Sequence, residues 1–283
     1  MTASIGAEAN LMSDHHPLDL LHQSVDAWNQ WRQTSMMIPD LSSANLKGAY
    51  LRRANLSGVN LSGADLSSAD LSEADLSEAI LVETNLTGAN LRQANLREAY
   101  LPSANLSESS LCEAVLTDAI LIEARLRKTN LRKANLHQAN LSRADLIGSL
   151  LSEAVLSNAD LEEALVIGAT LIEANLKQAI LTKANFSLAD LSRTDLSNTD
   201  FSFADLSGAC LVDASIHHAN FFRANLSGTE LDPTDLETAN LDNTNLPEPL
   251  AKLTSSPAVQ TSTPEEECVW LTLEEFWNAE FKN

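Results

Sequence analysis

The sequence contains 39 acidic residues and six histidines, but they form few recognisable clusters suited to catalysis or metal binding. His217 and His218 are adjacent, and Asp213 precedes them by four residues; these residue types ligate metal ions and transfer protons. The sequence holds no phosphate-binding loop, no dinucleotide-binding glycine motif and no nucleophile elbow. Four aspartates recur at a spacing of five residues: Asp190, Asp195, Asp200 and Asp205. This regular spacing points to the elements that position them.

The same spacing of five runs without interruption through residues 41–246. A large apolar residue occupies every fifth position, and 37 of these 42 residues are leucine. The residue two positions earlier is small, and alanine fills 31 of the 41 such sites from Ala44 to Thr244. No insertion or deletion shifts the register, so the pattern predicts one continuous array of repeats.

A period of five residues fits neither an α-helix nor a simple β-strand. A helix advances about 100° per residue, so leucine at every fifth position would spread around its surface. In a strand, successive leucines would point to opposite faces. A short segment fits the pattern if its alanine and leucine point inward, its other three residues point outward and a turn closes it. Several such segments form one coil of a solenoid, and coils stack about 4.8 Å apart.

The repeated segments resemble a known family. Ala64-Asp65-Leu66-Ser67-Ser68 and Ala89-Asn90-Leu91-Arg92-Gln93 are similar to the A(D/N)LXX motif of pentapeptide-repeat proteins. The resemblance implies an all-β solenoid, a right-handed quadrilateral β-helix with four pentapeptides in each coil. It also implies a period of 20 residues and about ten coils, which make a rod about 50 Å long.

The N-terminal part lies outside the repeat. Residues 1–16 show no periodicity and are predicted to be disordered or loosely attached. From Pro17 onward the apolar residues share one helical face, which predicts a helix over about 17–34 within a capping segment, 17–38. A cap is expected because an open β-helix end exposes its core and its unpaired edges. The stretch Trp28-Asn29-Gln30-Trp31-Arg32 is similar to the leader of some bacterial, notably cyanobacterial, pentapeptide-repeat proteins.

The β-helix is predicted over 39–247 and is followed by two further segments. Residues 248–266 are rich in Ser, Thr and Pro and are interpreted as a linker. Residues 267–283 predict a short C-terminal helix with a dense apolar load. This helix has three interpretations: it caps the last coil, covers an apolar patch on the side of the rod, or docks on another chain to form a homodimer.

Net charge limits the classes of partner. The chain carries a net charge of −21, which argues against direct binding to nucleic acid or to an anionic membrane. Residues 41–140 are nearly neutral, with 10 basic and 11 acidic residues, whereas residues 141–246 have 5 basic and 16 acidic residues. Because the sequence shows no signal peptide and no apolar run long enough to span a bilayer, we expect a soluble cytoplasmic protein.

Outward positions supply two kinds of candidate surface. The residue before each leucine is most often Asn or Asp, which hydrogen-bonds nearby backbone in turns. Asp190, Asp195, Asp200 and Asp205 would ring one coil with four faces. Two interpretations stay open for them: turn chemistry alone, or an acidic surface for a partner.

Apolar residues also occupy outward positions, and with a period of 20 residues some of them stack. In three neighbouring coils they form one patch: Ile80, Val82, Tyr100, Pro102, Ile120 and Ile122. A contiguous apolar patch usually marks a contact site, although a terminal segment that folds back could also cover it. Two smaller clusters are predicted: Ile147, Leu165 and Ile167, with Leu150 and Ile172 around the corner, and then Phe203 with Phe222.

The leading functional hypothesis is a non-enzymatic protein-interaction or scaffold protein, in which a rigid rod presents flat faces to a protein partner. Alanine and leucine fill the predicted core, so we expect no cofactor and no metal. On a convex surface, His217 and His218 lack the pocket that a catalytic or metal site requires. The alternative comes from the resemblance, because some pentapeptide-repeat proteins mimic DNA and occupy DNA gyrase. The acidic half, 141–246, favours this alternative.

Overall fold

The computed structural model describes residues 17–231, 236 and 238–247. Three predicted segments therefore lie outside the described residues: the N-terminal 1–16, the linker 248–266 and the C-terminal helix 267–283. The described chain begins with two helices and continues as a stack of coils.

Two helices occupy the segment for which one continuous helix was predicted. Helix α1 spans Pro17–Gln23 and helix α2 spans Val25–Thr34. Between them Ser24 is extended, with φ −168° and ψ 151°, and its hydroxyl accepts a hydrogen bond from the Ala27 N–H at 3.1 Å. The prediction of a single helix was wrong because Ser24 caps α2 and interrupts the helical backbone.

The coils confirm the period of 20 residues. Parallel β-bridges run from Asp40↔Asn60 to Asn225↔Asn245, and each joins two residues that are 20 apart. Each bridge involves a single residue of each coil, so the described coils contain no strand of two or more consecutive residues. The reason is that a five-residue segment devotes two residues to a turn, which leaves only three for the straight part.

The bridging residues define four faces. Face 1 carries the column of outward residues that begins at Asp40, face 2 the column from Asn45, face 3 the column from Tyr50 and face 4 the column from Asn55. We name each corner by the two faces that it joins. The outward residue of each segment immediately precedes its inward leucine.

Each corner is a tight turn closed by the inward residues. The Leu41 carbonyl accepts the Ala44 N–H at 3.1 Å, and Ser43 between them has φ 58°. This is a type II turn, whose third residue favours glycine. An L-residue there costs roughly 1–2 kcal/mol. The Ser43 N–H donates to the Ser62 carbonyl of the next coil at 2.8 Å, and such ladder bonds hold the turns in this conformation.

The inward positions form one continuous core, as predicted. Leucines and alanines of the central coils are fully buried. Phe186, Phe201 and Phe221 replace leucine near the C-terminal end, and the rings of Phe201 and Phe221 stack with centroids 5.2 Å apart. Most described hydroxyl groups at alanine sites donate to a backbone carbonyl; Thr84, for example, donates to the Leu61 carbonyl at 2.8 Å, whereas the Ser149 hydroxyl has no partner. The interior is thus filled by side chains.

Helix α2 lies against the edge of the first coil, on face 4. The Trp28 indole N–H donates to the Asn55 carbonyl at 2.7 Å, while the Asn55 N–H donates to the Asn29 side-chain oxygen at 2.8 Å. Arg32 donates to the Ser57 carbonyl at 2.5 Å. In later coils, the equivalent backbone groups are hydrogen-bonded to the backbone of the preceding coil. Side chains of α2 therefore satisfy an edge that would otherwise lack backbone partners.

Burial accompanies this contact. Trp28 is fully buried, and its ring lies 5.3 Å from that of Trp31, centroid to centroid. Burial lowers the pKa of the Arg32 guanidinium from its ordinary value, and the negative charge of Asp75 opposes that shift. The contact thus combines apolar burial with directed hydrogen bonds.

Candidate interaction surfaces

The four predicted aspartates ring one coil, with one on each face. Each carboxylate accepts a backbone N–H from the residue two positions later at 3.0 Å. Asp200 also accepts a bond from the Asn220 amide of the next coil, and Asp190 is buried. The expected turn chemistry is therefore present in Asp190, Asp195, Asp200 and Asp205. Their role as an acidic binding surface stays a prediction.

On face 1, three apolar residues stack directly above one another. Ile80, Tyr100 and Ile120 are joined by consecutive bridges. Ile80 is 41% exposed and Tyr100 is 44% exposed, while Ile120 is half-buried. Because asparagine occupies the same column in the coils on either side, Asn60 and Asn140, the apolar stretch has clear ends.

The corner between faces 1 and 2 widens this stretch. The Glu83 N–H donates to the Pro102 carbonyl at 3.0 Å, and the Ser103 N–H donates to the Ile122 carbonyl at 2.9 Å. These bonds stack Val82, Pro102 and Ile122 beside the column on face 1. We call the resulting patch the face-1 apolar surface: Ile80, Val82, Tyr100, Pro102, Ile120 and Ile122. The structure brings together all five predicted partner-binding residues, and binding itself stays a prediction.

A second apolar surface lies on face 2 and the corner between faces 2 and 3. Leu165 is 39% exposed, and the Gly148 N–H donates to the Ile167 carbonyl at 3.0 Å, which places Ile147 and Ile167 in adjacent coils. Leu188, at 41% exposure, lies one coil further on the same corner and was missed from the sequence. Its column holds Gly148 and Gly168 in the two preceding coils, so counting by 20 residues gives no apolar run that ends at Leu188.

Charges beside this second surface are paired. Glu163 accepts from Lys183 and from Arg143, each at 3.1 Å. These cations, Lys183 before Arg143, lower the pKa of the Glu163 carboxyl. The adjoining rim is therefore close to electrically neutral.

The aromatic cluster contains a cation that sequence reasoning missed. Phe203 is 50% exposed and meets Phe222 edge to face, with ring centroids 5.6 Å apart. The Arg223 guanidinium carbon lies 5.7 Å from the Phe203 ring centroid and 5.1 Å from that of Phe222. The stacking of residues 20 apart was the available signal, since Arg223 follows Phe203 by that interval.

The repeat identified in these coils corresponds to a known family model. The model for pentapeptide repeats (8 copies) matches in overlapping or adjoining segments between residues 40 and 248. The chain is a pentapeptide-repeat protein. Family membership makes the fold a right-handed β-helix solenoid.

Solved structures of other pentapeptide-repeat proteins resemble this one. HetL, involved in heterocyst differentiation regulation in the cyanobacterium Nostoc sp. strain PCC 7120, is 35% identical, with 69% of this chain and 89% of HetL covered and a TM-score of 0.45. Trypsin-treated QnrB1, a plasmid-mediated fluoroquinolone resistance protein, is 23% identical, with coverages of 75% and 93% and a TM-score of 0.41. Rfr23 from the cyanobacterium Cyanothece 51142 is 22% identical, with coverages of 60% and 87% and a TM-score of 0.22. No curated protein sequence matches the chain.

The adjacent histidines of this pentapeptide-repeat protein, His217 and His218, lie on one corner of the coil. His217 and His218 are exposed between faces 4 and 1, and the His218 N–H donates to the Thr238 hydroxyl at 3.1 Å. Among the described residues, no group of three or more His, Cys, Asp or Glu side chains is placed to hold a metal ion. Within the same part of the chain, no helix has the length and apolarity needed to cross a bilayer.

Proposed function

We propose that this pentapeptide-repeat protein is a non-enzymatic protein-interaction or scaffold protein and that the face-1 apolar surface is its binding surface. The observation that carries the proposal is the column of Ile80, Tyr100 and Ile120 in three consecutive coils. Isolated exposed apolar residues are common on proteins, whereas a contiguous patch on a rigid face is typical of an interface. A cytoplasmic location is part of the proposal.

The coil explains why such a surface tolerates apolar residues. The inward neighbours Leu81, Leu101 and Leu121 are fully buried and identical, so the outward column is free to vary without disturbing the core. Backbone bonds between coils hold the outward residues in register whatever their side chains are. The patch is therefore preorganised, which lowers the entropic cost of binding.

The test replaces the column with the residue that flanks it. The triple variant introduces asparagine, the residue found at Asn60 and Asn140, through Ile80→Asn, Tyr100→Asn and Ile120→Asn. The parent and the triple variant are immobilised at equal density and exposed to extract from cells that make the protein. We expect a partner bound by the parent to be lost from the variant while both proteins melt at similar temperatures.

A matched control is available in three other exposed apolar residues at outward positions. Val115, Leu165 and Ile180 are 37%, 39% and 47% exposed. Their replacement by asparagine changes hydrophobicity by a similar amount but leaves the face-1 apolar surface intact. Ile180 lies on face 1 as well, but three coils beyond Ile120. Equal loss of the partner from both triple variants would contradict a specific role for the face-1 apolar surface.

Mimicry of DNA toward a DNA-handling enzyme such as DNA gyrase is the second candidate. It is favoured by the acidic balance of residues 141–246, with 5 basic and 16 acidic residues. The ring of four aspartates supports it less, because one face of the rod presents only one of those carboxylates. A gyrase supercoiling assay separates the two candidates: inhibition at micromolar protein supports mimicry, and unchanged supercoiling excludes it.

A further inference from the structure

The rim of the face-1 apolar surface is acidic, although residues 41–140 are nearly neutral as a whole. On the corners that flank Ile80, Tyr100 and Ile120, the charged residues are five carboxylates and one guanidinium: Glu78, Glu83, Glu98, Asp118, Glu123 and Arg97. The rim thus has a formal charge of −4. Most basic residues of these coils lie on other faces and corners.

Several of these carboxylates are available to a partner. Glu98 pairs with Arg97 at 2.9 Å, and Glu123 lies 3.6 Å from Arg143. Within the described part of the chain, the structure gives no ion pair to Glu78, Glu83 or Asp118. An apolar strip between unpaired acidic groups favours a partner that brings both apolar side chains and positive charge.

The chain's own C-terminal segment lacks this charge complementarity. Residues 247–283 contain 2 basic and 7 acidic residues. Covering the face-1 apolar surface with this segment would bring negative charge against the acidic rim within the screening length, which is about 8 Å at physiological ionic strength. The electrostatics therefore disfavour this segment as the occupant.

A second copy of the chain meets the same obstacle. If two copies packed antiparallel about Tyr100, Glu83 of one would face Glu123 of the other, and Glu78 would face Asp118. If they packed parallel, Glu83 and Glu123 would face Glu78 and Asp118. Both two-fold arrangements place carboxylates against carboxylates.

The length of the apolar column selects the secondary structure of the partner. Ile80 and Ile120 are two coil steps apart, about 9.6 Å at the usual strand spacing. Apolar side chains seven residues apart on an α-helix are separated by about 10.5 Å, and intermediate residues three or four apart fall near Tyr100. Same-face side chains of a strand are about 6.6 Å apart, which does not match a coil step of about 4.8 Å.

We propose that the face-1 apolar surface binds a basic amphipathic helix of another protein, lying along the rod with two turns over Ile80, Tyr100 and Ile120. This inference rests on the proposed function and adds the chemistry of the partner. Lysine or arginine side chains on the flanks of the helix reach Glu78, Glu83 and Asp118. The small contact area fits a weak, reversible complex.

The probe is a fluorescein-labelled synthetic peptide of Leu, Ala and Lys, about 18 residues long, with one apolar face. Fluorescence anisotropy with the full chain should give micromolar affinity that falls as salt rises. A peptide of the same composition with scrambled order, and one with Glu in place of Lys, should bind at least tenfold more weakly. Equal binding of the Glu peptide or of the scrambled peptide would overturn the inference.

Two variants of equal net charge separate local recognition from general attraction to an acidic rod. Glu78→Gln, Glu83→Gln and Asp118→Asn remove rim charge and should weaken binding at least fivefold. Glu108→Gln, Asp213→Asn and Asp242→Asn remove the same charge elsewhere and should leave affinity within twofold. Equal weakening by both triples would show general attraction only and would overturn the proposal.

Two further readouts distinguish this inference from the proposed function. The first readout is the solution mass from light scattering. A dimer that becomes a monomer on Tyr100→Asn would assign the surface to a second copy instead.

The second readout repeats the capture of the cellular partner with the variant that carries Glu78→Gln, Glu83→Gln and Asp118→Asn, called the rim triple. If the asparagine triple on face 1 loses that partner and the rim triple retains it, the proposed function stands and the basic helix is wrong. If the asparagine triple also retains it, the proposed function itself fails.

Discussion

Inward and outward columns of the same coils differ sharply in how much they vary. Leu61, Leu81, Leu101 and Leu121 occupy one inward column and are fully buried. One residue away, the outward column changes from Asn60 to Ile80, Tyr100 and Ile120. This chain therefore separates the residues that determine the fold from those that determine surface chemistry, although the two sets occupy neighbouring positions. Substitutions inside should therefore change stability, and substitutions outside should change binding.

The largest expected effect is at the first coil, where the inward core ends against α2. Trp28→Ala removes a fully buried ring and the bond to the Asn55 carbonyl, which should cost about 3–5 kcal/mol locally. Since stacked coils are coupled mainly to their neighbours, the loss should open the first coils rather than the whole rod. Hydrogen exchange should show faster exchange near Leu56 and unchanged exchange near Leu181. Uniform acceleration along the chain would contradict this account.

Overpacking the interior should have the next largest effect. Ala94 is fully buried on face 4, and Ala94→Leu should destabilise the rod by roughly 1–3 kcal/mol. Val115 lies on the same face in the next coil but points outward and is 37% exposed, so Val115→Leu is the matched control. Denaturant unfolding should separate the two variants. If Ala94→Leu unfolds like the parent, the inward column is not as tightly packed as described.

Two buried hydroxyl groups in the interior differ in their hydrogen bonding and should differ in their effect on stability. Thr84 donates to the Leu61 carbonyl at 2.8 Å, so Thr84→Val should cost about 0.5–1.5 kcal/mol. The Ser149 hydroxyl is buried at an equivalent inward site and has no hydrogen-bond partner. Ser149→Ala should be neutral or slightly stabilising. Thermal unfolding of the two single variants tests the contrast, and equal destabilisation would refute it.

Acid sensitivity should show the smallest effect. The hydroxyl and the backbone N–H of Ser67 donate to Asp65 and lower the pKa of its carboxyl. A lowered folded-state pKa gives stability that is complete above the unfolded pKa, about 3.9, and is lost as pH falls through the folded value. Asp65→Asn keeps the hydrogen bond from the backbone N–H two residues later, because Asn85 accepts the same bond in the same column. The variant should therefore show a smaller fall in melting temperature below pH 4 than the parent. Asp213→Asn, at an exposed corner, is the control, and an equal flattening there would count against the turn bond.

Much of the fold followed from the sequence because the repeat is regular. Ala94 and Leu96 were correctly predicted to point inward from the period of five alone, while the 20-residue coil required the family resemblance. The break at Ser24 was not predicted, because the apolar residues of α1 and α2 share a continuous periodicity and a single serine decides the boundary. The contacts of Trp28 and Arg32 with the first coil could not be predicted from the residue pattern either, because they depend on the position of α2 against the backbone edge of that coil.

The candidate surface was predicted in part. Stacking at intervals of 20 correctly grouped Ile80, Tyr100 and Ile120. Leu188 and Arg223 were missed because the residues 20 positions earlier differ from them in type. Gly168 precedes Leu188 and Phe203 precedes Arg223, so neither belongs to a run of similar residues. The acidic rim was hidden by the near-neutral total for residues 41–140, because whole-segment charge says nothing about which corner carries it.

The contact between α2 and the first coil has a consequence for synthesis. Helix α2 precedes every coil in the sequence and leaves the ribosome before any coil does, so its hydrogen-bonding groups are present when the first pentapeptides emerge. Each later coil finds the same backbone edge already in place. At about 5–20 residues per second, a new 20-residue coil is completed every 1–4 s or so. The rod is thus suited to assemble in one direction, with translation setting the order in which its coils are laid down.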